Sequence, residues 1–169
     1  MSGEKIYDNK NLNYVKKNFK NSLKFRLLLL KILPMGYLSG MRIKELNEEK
    51  CIVTVPYKWI NKNPFKSTFW AVLGMAAEMS SGALIVMYIY GQKPTISLLV
   101  SKCESEFVKK ASDITTFICN DGLIIKKAVT EAIQTSEAIT FSTSMTGKNK
   151  AGEDVAHFKF TWALKKRSN

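Results

Sequence analysis

The sequence predicts an α+β fold in which an antiparallel sheet of about six strands wraps around one long central helix, with an extra helix at the N-terminus. Three observations lead there. From Ser67 to Tyr88 runs a segment that is apolar nearly all round, and such a helix has to be buried. Six stretches rich in β-branched or alternating apolar residues supply the strands. The 169 residues suit one domain, without repeats or low-complexity segments. Residues 1–35 are read as a basic amphipathic helix packed on the body, and residues 36–169 as that body.

Taken in order, Leu12, Val15, Phe19, Leu23, Leu27 and Leu30 recur at steps of three and four, which predicts one amphipathic helix ending before Pro34. Its apolar stripe is expected to pack on the domain. Gly36 to Gly40 reads as a turn. Met41 to Leu46 and Cys51 to Tyr57 read as two strands joined by the polar Asn47 to Lys50 turn. Asn63 and Pro64 signal a helix start, because Asn is a good N-cap and Pro is tolerated in a first turn. The long helix then runs to about Tyr88, and Gly91 to Pro94 ends it. Thr95 to Phe107 and Asp113 to Cys119 are strands. Asp121 to Gln134 switches to helical spacing. Ala138 to Thr146 and Val155 to Leu164 close the chain, with Ala156, Phe158, Phe160, Trp162 and Leu164 on one face.

Charge and cysteine content narrow the function classes. The formal net charge is +12. Eight Lys or Arg in the first 33 residues stand against Glu4 and Asp8, a net of +6. Such an excess suits nucleic acid, an anionic membrane surface or a phosphate-bearing small ligand. Cys51, Cys103 and Cys119 are odd in number and lack CxxC spacing, so neither a disulfide framework nor a zinc site is expected, and a reducing cytoplasm is. No metal and no cofactor are called for. The polar start MSGEKIYDNKN lacks the apolar core of a signal peptide. The early apolar run around Leu27 to Leu33 falls far short of the roughly 18 to 20 residues that span a bilayer, so stable membrane insertion is not expected.

One residue in the central helix stands out. Glu78 is a single carboxylate among Ala, Gly, Met, Leu and Ser, and a carboxylate withdrawn from water without a partner costs several kcal/mol or keeps its proton. At 100° per residue, Ser67, Ala71, Gly74, Gly82 and Ile85 lie within about 40° of it, and small residues admit a close neighbour. The site reading makes Glu78 a general base or nucleophile; the structural reading makes it a glutamate bonded to the sheet or to another helix. The free amides near the helix start suit a developing oxyanion. Asn63, just ahead of them, either caps the helix or reaches a ligand. Trp70 and Glu78 are roughly 12 Å apart along the axis, too far for one reacting carbonyl. If both act, the other half-site comes from a second copy related by a two-fold axis.

The stretch NPFKSTFWAVL followed by GMAAE resembles the hot-dog fold acyl-CoA thioesterases. It is most similar to an uncharacterised family related to the phenylacetate-pathway thioesterases, whose members read like N-H-x-G-T-x-Y-A-G-A-L followed by an acidic residue. The similarity spans nearly the whole chain, to the final strand ending FTWALKK. It implies a homodimer or dimer of dimers, with hydrolysis of an acyl-CoA or acyl-carrier thioester at the interface. Glu78 would activate water or attack the carbonyl, amides near Trp70 and Ala71 would hold the thioester oxygen, and Asn63 would position substrate or water. Ser67, Phe69, Ser81 and Gly82 complete the expected substrate contacts. Pro64, Lys66 and Trp70 depart from the family's His, Gly and small residue.

Other chemistries have weak support. His157 is the only histidine, falls on the strand face opposite Phe158 and is expected in solvent, so Ser80 and Ser81 have no partner for nucleophilic catalysis. Phosphate-binding glycine loops are absent. The competing functions are a non-catalytic acyl or lipid binder on the same fold, and a module for nucleic acid or anionic membrane built on the basic N-terminal segment. No basic and aromatic interleaving of an RNA-binding sheet is seen, so nucleic acid is not an expected partner.

Overall fold

A computed structural model describes residues 6–135 and 137–167. Residues 1–5, with Glu4 and Lys5 of the N-terminal charge count, lie outside the described residues. The chain runs through helices α1 (Asn9–Lys20), α2 (Ser22–Ile32) and α3 (Pro34–Ser39), strands β1 (Arg42–Leu46) and β2 (Cys51–Val55), the central helix α4 (Trp70–Ile89), strands β3 (Ile96–Phe107) and β4 (Thr115–Cys119), helix α5 (Gly122–Gln134), and strands β5 (Ile139–Lys148) and β6 (Asp154–Lys166). The strands form one six-stranded sheet in the order β1-β2-β4-β5-β6-β3, with every neighbouring pair antiparallel. The sheet wraps α4, as the sequence predicts.

What holds the sheet on the helix is its inner face. Ala156, Phe158, Phe160, Trp162 and Leu164 of β6 are all buried. Phe158 and Phe160 stack at 5.9 Å between centroids, and Phe117 of β4 meets Phe158 edge-on at 5.7 Å. The indole N–H of Trp162 donates to Thr143 Oγ1 at 3.1 Å, so the polar end of a buried ring is satisfied. On α4, Gly74 and Gly82 face Phe158 and Trp162, and Leu73, Ala77, Leu84 and Ile85 are buried. By length and composition α4 is apolar enough to cross a membrane, but most of it is buried in the core of this fold.

The N-terminal segment departs from expectation. Asn21 leaves the helical region at φ −73°, ψ 107°, ends α1, and caps α2 by accepting from the Lys24 amide at 3.0 Å. The single helix therefore becomes two, and the apolar repeat loses phase across the break. Leu12 and Val15 are buried and Phe19 is half-buried, but α2 packs through Phe25 and Leu29 and leaves Leu23, Leu27 and Leu30 in solvent. The expected turn at Gly36 to Gly40 is instead α3, which Pro34 starts and Gly40 ends at φ +79°. Gly40 suits that left-handed cap because it has no Cβ.

The central helix also begins later than predicted. It starts at Trp70, with Phe69 as its N-cap residue, so neither Asn63 nor Ser67 belongs to it. Residues 61–69 form an ordered turn instead. Asn63 Oδ1 accepts from the amides of Phe65 (3.0 Å) and Ser67 (3.1 Å), and Thr68 N–H donates to the Ala111 carbonyl at 2.8 Å. Buried Asn61 anchors the turn by donating to the carbonyls of Ser39 (2.8 Å) and Pro56 (2.7 Å). Asn63 organises a turn rather than capping a helix.

Candidate active site

Five of the sequence-predicted residues line two separate cavities along α4, Asn63, Ser67 and Trp70 one of them and Glu78 and Gly82 the other. The first, of about 350 Å³, lies at the helix start and is lined by Asn63, Ser67, Trp70, Phe107, Lys109 and Lys110. The second, of about 280 Å³, lies along the middle and second half of α4, between α2, β3 and β6. Phe25, Leu29, Met79, Leu98 and Trp162 line it, Gly82 leaves its floor open, and Glu78 stands in its wall.

Glu78 is the only carboxylate on α4. Among the described residues no group hydrogen-bonds its carboxylate, the Ser81 hydroxyl reaching only its backbone carbonyl, and no cation lies within ion-pair distance. Apolar surroundings withdraw water from it and push its carboxyl above the ordinary glutamate range. The residue is nevertheless exposed in the single chain. Glu78 therefore sits on a rim, dry on the cavity side and open on the other. On the edge strand β3, burial and the charges of Glu78 and Glu104 push the Cys103 thiol pKa up.

At the other end, the α4 amides are unspent. Val72 and Leu73 N–H donate to the Phe69 carbonyl, but no acceptor among the described residues meets the N–H of Trp70 or Ala71, and no side chain caps the helix. Two free donors with the helix dipole behind them form a cradle for negative charge. Lys110, which has no acidic partner among the described residues, and Lys109, paired with Glu153 at 2.7 Å, add positive charge beside it.

The Asn63 turn makes this arrangement possible. Ser67 Oγ lies 3.0 Å from Asn63 Nδ2, so the two polar side chains are locked together in the first cavity. Lys66 adopts φ +59°, the left-handed conformation that glycine takes without penalty. Lys66 therefore carries a backbone strain that glycine in its place would not.

Other expected residues are placed differently. Ser81 is fully buried and its hydroxyl donates to the Glu78 carbonyl at 3.2 Å, so it lines neither cavity. Phe69 is exposed and packs against the Trp70 ring at 5.7 Å. Ser67, off the helix, cannot share the Glu78 face, whereas Ala71, Gly74 and Gly82 do. His157 lies on the outer face of the sheet, 3.7 Å from Asp154, away from both cavities. Sequence reasoning missed Asn61, whose anchoring role depends in part on the Ser39 carbonyl, distant in sequence. Among the described residues no group of His, Cys, Asp and Glu has the arrangement of a metal site.

No known family profile matches the chain, and no curated protein does. Solved structures do. A Pseudomonas aeruginosa protein of unknown function, described as a probable thioesterase, superposes with a TM-score of 0.72 at 20% identity, covering 86% of this chain and 96% of that one. A Chlorobaculum tepidum protein of unknown function gives 0.72 at 16% identity, over 86% and 94%. A Haemophilus influenzae thioesterase gives 0.63 at 11% identity, over 86% and 91%. The chain has the hot-dog fold of these structures.

Proposed function

We propose that the chain is a thioester hydrolase acting on acyl-CoA or acyl-carrier thioesters, with its site completed by two copies of the chain. The observation that carries this reading is Glu78: an unpaired carboxylate in the wall of an apolar cavity, its pKa raised by desolvation, about two turns along the helix from the unspent amides of Trp70 and Ala71. The spacing supports a dimer. On α4, rising about 1.5 Å per residue, Glu78 and Trp70 are roughly 12 Å apart, whereas a two-fold axis brings Glu78 of one copy to the helix start of the other. The sheet edge supports it too: β3 is twelve residues long, largely exposed, and open along one side, a template for another strand.

In this mechanism ionised Glu78 takes a proton from water, and the hydroxide formed attacks the thioester carbon. The carbonyl oxygen becomes an oxyanion held by the Trp70 and Ala71 amides of the second copy. The C–S bond then breaks, the acid is released, and the thiolate takes the proton from Glu78, which returns to its ionised form. Direct attack by the carboxylate is the variant of the same scheme. The acyl chain occupies the apolar cavity, while Lys109 and Lys110 attract the phosphates of the carrier. Three free cysteines, two of them buried, fit a reducing cytoplasm.

Free-thiol release measured across a panel of acyl-CoA thioesters tests the proposal. Glu78→Gln, nearly isosteric and never charged, is expected to lower kcat by about 10²-fold or more. Unchanged turnover in that variant sinks the assignment. A protein that releases no thiol but co-purifies with a fatty acyl ligand supports the acyl-binding alternative.

A further inference from the structure

The outer surface of α2 and α3 combines exposed leucines with unpaired positive charge. Leu23, Leu27 and Leu30 are 70%, 59% and 50% exposed. At 100° per residue they fall within about 60° of one another, opposite the buried Phe25 and Leu29. Met35 (55%) and Leu38 (46%) of α3 are exposed as well, whereas Ile32 (63%), about 170° from the stripe, sits at the cavity side with Phe25 and Leu29. So α2 is apolar on its inner and outer faces alike, which in water is stable only under cover.

Charge indicates what the cover is. From Asn9 through Lys44 the chain carries Lys10, Lys16, Lys17, Lys20, Lys24, Arg26, Lys31, Arg42 and Lys44, and no acidic residue. Lys20, Lys24 and Lys31 are exposed beside the leucines. On the other flank, Arg26 stacks 4.3 Å above the Tyr37 ring, and its charge adds to burial in lowering the pKa values of Arg42 and Lys58. None of these three cations has an acidic partner among the described residues.

We propose that the α2–α3 face docks on an anionic lipid surface, the leucine stripe entering the headgroup boundary and the flanking lysines and arginines meeting lipid phosphates. A second copy is the wrong occupant, because a two-fold contact through this face sets a cationic rim against the same cationic rim. Nucleic acid supplies the negative charge but has no use for a stripe of leucines, since bases stack on aromatic rings. An anionic bilayer matches both halves of the surface. The docking does not depend on thioester hydrolysis.

Co-sedimentation of the full chain with vesicles of phosphatidylcholine, alone or mixed with phosphatidylglycerol, tests it. The expected result is about tenfold or more tighter binding to the mixed vesicles, weakening as salt is added. Leu23→Gln/Leu27→Gln/Leu30→Gln, at exposed positions, is expected to retain the native circular dichroism spectrum and to lose about tenfold in binding. Lys24→Glu/Lys31→Glu, which leaves every apolar contact in place, is expected to lose a similar factor even if the leucine variant folds poorly. Equal binding to neutral vesicles, no binding, or a change of oligomeric mass in the leucine variant overturns the proposal. So does binding to a single-stranded oligonucleotide without binding to vesicles.

Discussion

Glu78 combines two properties that oppose each other, a charge and a dry neighbourhood, and the conflict makes its behaviour predictable. Its folded pKa lies above its unfolded value. Over the window between the two, the native chain holds a proton that the unfolded chain has lost, so stability falls as pH rises through that window, which begins near the ordinary value of 4.5. Glu78→Gln removes the fall. Thermal melts are expected to show the variant more stable than the parent at neutral pH and equal to it below the ordinary glutamate range; a less stable variant at neutral pH would mean that the carboxylate has a favourable partner after all. If ionised Glu78 is the base, thiol release rises with pH along a limb displaced above the usual carboxylate range, and the rise is absent in the Gln variant.

The same scale shows what a sequence discloses. Glu78 was legible because one charge interrupts an apolar run and no tertiary information is needed to see it. The role of Asn63 was not, since the side-chain oxygen that caps a helix also closes a local turn, and only the position of the following amides decides between them. Lys66 gave no sign of its left-handed backbone, because lysine has no preference for it.

Elements were legible where one period governs a whole segment. The alternation on β6 foretold which of its residues are buried, and the apolarity of α4 foretold that the helix lies in the core. The N-terminal stripe misled because the spacing continues across Asn21 while the helix does not, so Leu23, Leu27 and Leu30 carry the right interval on the wrong face. The turn before α4 supplies the test at this scale. Lys66→Gly relieves a left-handed lysine and is expected to stabilise the chain by up to about 1 kcal/mol despite the flexibility it adds to the unfolded state, whereas Lys66→Ala relieves nothing. Chemical denaturation of the three proteins reads the difference, and equal midpoints would mean that the turn relaxes freely. In the sheet, Trp162→Ala deletes a buried ring bonded to Thr143 and is expected to cost about 3 to 5 kcal/mol.

The whole molecule leaves its chemistry divided. Each protomer holds an acid in one cavity and free amides beside the other, with a bare strand edge and apolar side chains such as Trp59, Phe65 and Trp70 in solvent. Nothing in composition or periodicity reveals which strand lies at an edge, so β3 became visible only with the sheet order. Leu99→Glu/Cys103→Glu sets like charges along that edge and is expected to sediment as a 19.1 kDa monomer without thioesterase activity, while an active monomer would place the whole site in one chain.

Subunit mixing tests the shared site most directly. Trp70→Pro removes one amide at a helix position that tolerates proline, and Phe69 before it, at φ −60°, ψ 134°, already has the backbone that proline requires; Trp70→Ala controls for loss of the indole. Alone, Trp70→Pro and Glu78→Gln are each expected to release thiol slowly. Co-refolded in equal amounts, they form mixed dimers with one intact Glu78 facing one intact helix start, which predicts recovery of about a quarter of the parent activity. Recovery to that level supports a site built from two chains; a mixture no more active than its components contradicts it.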